Sequence, residues 1–209
     1  MRLAIATALL AASSAHANPT LGGPMSHLLV GVFEQRVFLS FESPSMSTVT
    51  MQDGDGFEGG ASVLNGTGYN AQFGWLANGF VSIPSGSGVF VREVSSSTWL
   101  DVYSESGYQP ILGTDGSADL WQWDGTMTHN WYSTEVRGTH RVEYEVFVGD
   151  ASGNPLDGWT GGTIALEFQY GRPLRTLGEQ RVGSIAVVPG VGSLGVIGVG
   201  VLGVNRRRR

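Results

Sequence analysis

From Val142 to Val148 apolar and charged residues alternate, with Val142, Tyr144, Val146 and Val148 on one parity and Glu143 and Glu145 on the other. Side chains of an extended chain point to opposite faces at every step, so this period of two predicts a strand with one dry and one wet face. Thr163–Tyr170 repeats the pattern, with Ile164, Leu166, Phe168 and Tyr170 on the dry side. Turn formers crowd the segment between them, Gly149 to Gly158. The two strands are therefore predicted to pair antiparallel through a long loop.

Similar short stretches run through the rest of the chain: Arg36–Glu42, Thr48–Gln52, Tyr69–Leu76, Phe80–Pro84, Val89–Val94, Trp99–Ser104, Leu120–Trp123 and Thr128–Ser133. Each is bounded by Gly, Asp, Asn, Ser or Pro, and Asp124-Gly125 reads as a hairpin turn between the last two. No apolar i, i+3, i+4, i+7 pattern lasts ten residues, which argues against alternating strands and helices. The expectation is an all-β fold: one antiparallel β-sandwich, Ig-like or jelly-roll, over residues 18–186, without internal repeats.

Both ends depart from this pattern. Met1–Ala17 has Arg2, an apolar run from Leu3 to Ala12, and Ala15-His16-Ala17 ahead of Asn18. A charged start, an apolar helix and a small-residue cleavage site predict a signal peptide cut between Ala17 and Asn18. At the other end, residues 187–209 comprise an apolar, glycine-rich run to Val204 and then Arg206 to Arg209. Its 18 apolar-run residues fall just short of the roughly 20 of a membrane-spanning helix, and the arginines would stay on the cytoplasmic side. Pro189, the small-residue helix and the basic tail resemble the C-terminal sorting signals of bacterial surface proteins of the PEP-CTERM type. Where that family carries Pro-Glu-Pro, this chain has Val188-Pro189-Gly190. The resemblance covers about the last 21 residues. It implies sorting by an exosortase-like membrane protease, with a passing membrane anchorage before cleavage near Pro189. A plain C-terminal anchor is the competing reading; both put the body outside the cytoplasm.

Composition narrows the chemistry. With no cysteine there is neither a disulfide nor a thiolate metal site, and because all 12 basic residues are arginine, lysine chemistry and P-loops are excluded. Processing at both ends removes five arginines and leaves seven against 18 carboxylates, a net charge near −11. Such a body repels phosphate backbones, so nucleic acid is not an expected partner. It attracts cations instead, and calcium is the natural candidate outside a cell. Asp53-Gly54-Asp55-Gly56-Phe57-Glu58 and the Asp150, Asn154, Asp157 group offer oxygens for it, although Asp-Gly pairs also make ordinary turns.

The richest segment for binding is Asp115–Tyr132, where Trp121 and Trp123 share a face and Trp131 follows. Aromatic faces can stack on sugars, and they can equally fill a core. Trp123-Asp124-Gly125 followed by His129-Asn130 resembles exported bacterial proteins with the same kind of C-terminal signal, a likeness that implies location and fold. The three mature-body histidines, His27, His129 and His140, show no zinc-protease spacing, and no nucleophile elbow or dinucleotide fingerprint is present. The sequence thus predicts a non-catalytic cell-surface or matrix protein without a cofactor and without catalytic or metal-ligating residues. The alternative is an extracellular carbohydrate-binding module, with calcium as an optional aid, that meets an exopolysaccharide through Trp75, Trp99 or Trp159. A small glycoside hydrolase built on scattered carboxylates comes third.

Overall fold

The computed structural model describes residues 17–43 and 47–171. All of these lie in the first of the chain's two compact units, Met1–Leu174. Ala17 and Asn18 are exposed at the start of this stretch. Pro189, the apolar run and the arginine cluster lie outside the described residues, as do residues 1–16 of the predicted signal peptide.

The body is all-β, with eleven strands among the described residues: β1 (Ser26–Phe33), β2 (Arg36–Phe41), β3 (Thr48–Asp53), β4 (Gly68–Asn70), β5 (Phe73–Ala77), β6 (Gly88–Ser96), β7 (Asp101–Tyr103), β8 (Leu120–Trp123), β9 (Trp131–Thr134), β10 (Gly138–Gly149) and β11 (Gly162–Tyr170). They form a three-stranded sheet, β2-β1-β5, and an eight-stranded sheet, β7-β9-β4-β3-β11-β10-β6-β8. The β10–β11 hairpin is antiparallel from Gly138↔Tyr170 to Val146↔Gly162. All eight of its predicted dry-face residues are buried.

Those residues form one wall of the main core. Leu28 and Val30 of β1, Val37 of β2 and Phe73 and Trp75 of β5 press onto it from the small sheet. Aromatic rings meet between the sheets, Phe73 edge-on to Phe168 at 5.4 Å between centroids and Trp75 to Tyr144 at 5.8 Å. A second cluster covers the opposite face of the large sheet where Tyr69 and Trp131 lie, capped by a 3-10 turn at Gly59–Leu64 that contributes Ala61 and Leu64. Every residue of β4 and β9 is consequently buried.

Two pairings are parallel, β1 with β5 and β3 with β11, where the sequence predicts antiparallel strands throughout. The predicted strand Tyr69–Leu76 breaks at Ala71-Gln72, where the chain leaves the large sheet for the small one. Buried amides hold that corner: Asn70 donates to the Thr50 carbonyl at 3.0 Å, and the Gln72 N–H donates to the Asn70 side chain at 2.8 Å. Phe80–Pro84 forms no strand; Val81 and Ile83 turn to the core while Phe80 stands 88% exposed. Asp124-Gly125 is not the turn of a β8–β9 hairpin, because β8 is one edge of the large sheet and β9 is next to the other edge.

β1 is the strand that the sequence does not announce. It forms a hairpin with β2 through Glu34 and Gln35, both left-handed at φ 47° and 59°. A two-residue hairpin turn of this kind favours Asn-Gly, and each ordinary side chain forced into that region costs about 1–2 kcal/mol. Replacing the pair by Asn-Gly is expected to stabilise the protein by about 1 kcal/mol, read as a rise in Tm of about 2–4 °C for a domain of this size.

Candidate functional site

The segment richest in tryptophan builds a corner between the sheets. Trp121 and Trp123 face the core from β8, paired with Val91 and Val89 of β6. Trp123 is 2% exposed, and its indole N–H donates to the Thr126 carbonyl at 2.7 Å. Asp124 accepts from the Thr126 N–H at 2.9 Å and from the Thr126 hydroxyl at 2.6 Å, closing an Asx-type turn. The chain then crosses to the small sheet. Thr128 exchanges backbone hydrogen bonds with Trp75 in both directions, at 2.9 and 3.1 Å, and extends that sheet beyond β5. The turn signal in the sequence is real; the outgoing chain pairs with β5 because that edge is free.

A cavity of about 270 Å³ opens beside this strap, lined by Trp121, Asp124, Thr126, Thr128, Asn130 and Glu105 among others. Its wall includes a buried polar group with an unmet need: Asn130 is 1% exposed, yet neither its amide nitrogen nor its amide oxygen has a hydrogen-bond partner. A buried amide left unpaired costs about 1–3 kcal/mol, so a ligand that satisfies it binds with that advantage. Trp121 contributes a half-buried ring that leans on Trp75 at 6.2 Å. A second cavity, about 380 Å³, lies between Phe80, Val81, Ile83 and Trp123.

Of the other tryptophans named from the sequence, Trp75 is wholly buried in the core and Trp159 is packed against it. Trp99 is 69% exposed on a left-handed backbone, φ 71°. The three do not form a row of ring faces. Trp131 belongs to the second core, stacked on Tyr108 at 5.4 Å.

In the two candidate calcium loops, one aspartate of each is engaged by the protein itself. Asp53 accepts from the Tyr170 hydroxyl at 2.8 Å, and Phe57 of the same loop is buried, with its backbone N–H and carbonyl both bonded to the Asn65 side chain. Asp150 accepts from the backbone N–H groups of Ser152 and Asn154, and these and the Asn154 amide hold its carboxyl below the usual range. Among the described residues no group of three or more His, Asp or Glu side chains is placed to share one metal ion. No described helix is long and apolar enough to cross a membrane.

The carboxyls pushed upward lie elsewhere. Burial raises Glu93, helped by Asp119, and burial raises Asp101, helped by Asp115 and Glu135. Neither lines either cavity. Asp124, which does, is pulled down by the Thr126 hydroxyl and N–H. Asn130 was within the segment singled out by sequence, but nothing local signals that its amide would be buried and unpaired; the fold alone does that. Compared with models of protein families and with curated proteins, the chain matches none.

Because its folded-state pKa is depressed, Asp124 adds stability that is present above its unfolded pKa and is lost as pH falls through the folded value. An NMR titration of the Asp124 carboxyl is expected to show a midpoint below that of an ordinary aspartate. In T126V, which loses the hydroxyl donor, the midpoint moves back up and the acid-side loss of stability shrinks.

Proposed function

We propose that this is an exported, non-catalytic β-sandwich protein of the bacterial cell surface or extracellular matrix, sorted through its C-terminal segment. The export reading rests on the two ends of the sequence: a signal peptide before Asn18, and the proline, glycine-rich run and arginine cluster from Pro189 onward. The sandwich reading is supported by two sheets that share one core. An exosortase-like membrane protease is the partner this reading requires. The non-catalytic reading rests on the sequence, which carries no nucleophile elbow, no zinc-protease histidine pair and no dinucleotide fingerprint.

Asn130 favours a second reading, in which the body binds an extracellular polysaccharide. An amide offers two donors and two acceptors, which matches neighbouring sugar hydroxyls, and Trp121 supplies a ring edge with Asp124 and the threonine hydroxyls around it. This single observation, an unpaired buried amide in a cavity wall next to an aromatic ring, carries the reading.

Intact mass of the surface-extracted protein is expected to begin at Asn18 and to lack Arg206 to Arg209; a cytosolic product that keeps residues 1–17 overturns export. In a titration of the mature protein with soluble bacterial polysaccharides, tryptophan fluorescence is expected to shift. The Asn130→Leu variant, with unchanged circular dichroism, should bind about tenfold more weakly, the equivalent of one lost hydrogen-bonded pair. No response across a broad glycan panel removes the second reading and leaves the first.

A further inference from the structure

The outer face of the small sheet carries a row of four residues from four chain segments. His27 of β1 is in register with Gly74 of β5. On one side of His27, Glu42 donates its backbone N–H to the His27 carbonyl at 2.9 Å. On the other side, the strap that pairs Thr128 with Trp75 brings His129 alongside Gly74. The His129 ring lies over the glycine: a Cβ there would stand 2.5 Å from both its Cε1 and its Nε2. Only glycine leaves room for the ring, and the two imidazoles come to 5.9 Å between centroids, edge to face.

The hydrogen bonds fix which nitrogen of each ring is free. Nδ1 of His27 is 2.6 Å from the Glu42 carboxylate, and Nδ1 of His129 is 2.8 Å from the Ala71 carbonyl oxygen. Both partners accept, so both Nδ1 atoms carry the proton. In the neutral rings each Nε2 is then a bare lone pair. Both Nε2 atoms are buried and neither has a hydrogen-bond partner. Because the two nitrogens of an imidazole point nearly opposite ways, the Nε2 of His27 is turned from Glu42 toward the His129 side of the row.

We propose that His27 and His129 form a two-histidine site for a borderline divalent transition metal, Zn(II) or Cu(II), held through both Nε2 atoms above Gly74. Imidazole nitrogen suits these ions. Ligating histidines characteristically donate their other ring N–H to a carboxylate or a backbone carbonyl, which fixes the tautomer and raises ligand basicity; here one ring has each kind of anchor. No third His, Asp or Glu side chain joins the pair among the described residues, so the two rings supply two ligands and water or an outside molecule supplies the rest. The His27 side chain is 16% exposed although its Nε2 is shielded, so the ion and its water reach the pair as the edge of that ring moves aside. The site is separate from the Asn130 cavity and does not depend on it.

The test uses the tag-free full chain titrated with Cu(II) and with Zn(II). Electron paramagnetic resonance at one equivalent of Cu(II) is expected to show coupling to two imidazole nitrogens, and calorimetry with Zn(II) one site per chain. H129Q and G74A should each weaken Zn(II) binding at least about tenfold, and E42Q about 10–100-fold as for other anchoring partners of metal-bound histidine. H140A should leave binding unchanged, although the Nδ1 of His140 also lacks a partner. A Cu(II) spectrum without nitrogen coupling overturns the proposal, and it decides the matter even where a substitution disturbs the fold. So does an Nε2–H resonance bridging the two rings that added Zn(II) leaves in place, since the pair then shares a proton and has no lone pairs to give.

Discussion

Trp75 has no surface exposed to solvent, and its ring touches Tyr144 of the large sheet and Trp121 at that sheet's edge. Its backbone holds Thr128 from both sides. A fully buried indole of this size contributes several kcal/mol through burial and aromatic contact, and here the same residue also fixes where the chain after β8 must go. The strap from Asp124 to Asn130 lies against β5 because Trp75 offers the backbone groups there. The cavity beside Trp121, the unpaired amide of Asn130 and the placement of His129 over Gly74 all follow from that docking. Tyr132 and Tyr144 share this interior, and burial holds both phenols well above their usual range.

Much of the large sheet can be read from the chain because its strands are wet on one face. In β10 and β11 the glutamates and threonines mark the solvent side, so alternation gives both the strand and its orientation. Alternation fails where a strand is covered on both faces. β4 and β9 lie between two clusters, with Tyr69 and Trp131 toward the second core and Tyr132 toward the first, so their sequences carry no wet parity to detect. Position along the chain misleads for a different reason at β8 and β9. A turn dipeptide specifies that the chain reverses, and says nothing about which edge is free to receive it.

β1 was invisible because its turn uses Glu34 and Gln35, which lack the chemistry by which such turns are recognised. Missing it also hides the small sheet, since both β2 and β5 pair with β1. The two candidate sites share this history. Asn130 and His129 are adjacent in sequence and were noticed, but the properties that matter arise from distant partners: Ala71, Gly74, His27 and Glu42 are joined only by strand register. The tryptophans divide between cores and surface in a way that spacing alone does not decide.

The parallel pairing of β3 with β11 joins Thr48 to Glu167, 119 residues apart, with a side-chain hydrogen bond of 3.1 Å across the gap. Nothing near β3 in sequence can stand in for that partner, and closing so long a loop must precede any gain from the contact. An N-terminal fragment ending before Gly162 therefore lacks the strand that sits at the middle of its largest sheet. During synthesis β3 therefore has no β11 beside it until nearly the whole body has left the ribosome, and the large sheet closes last along that seam.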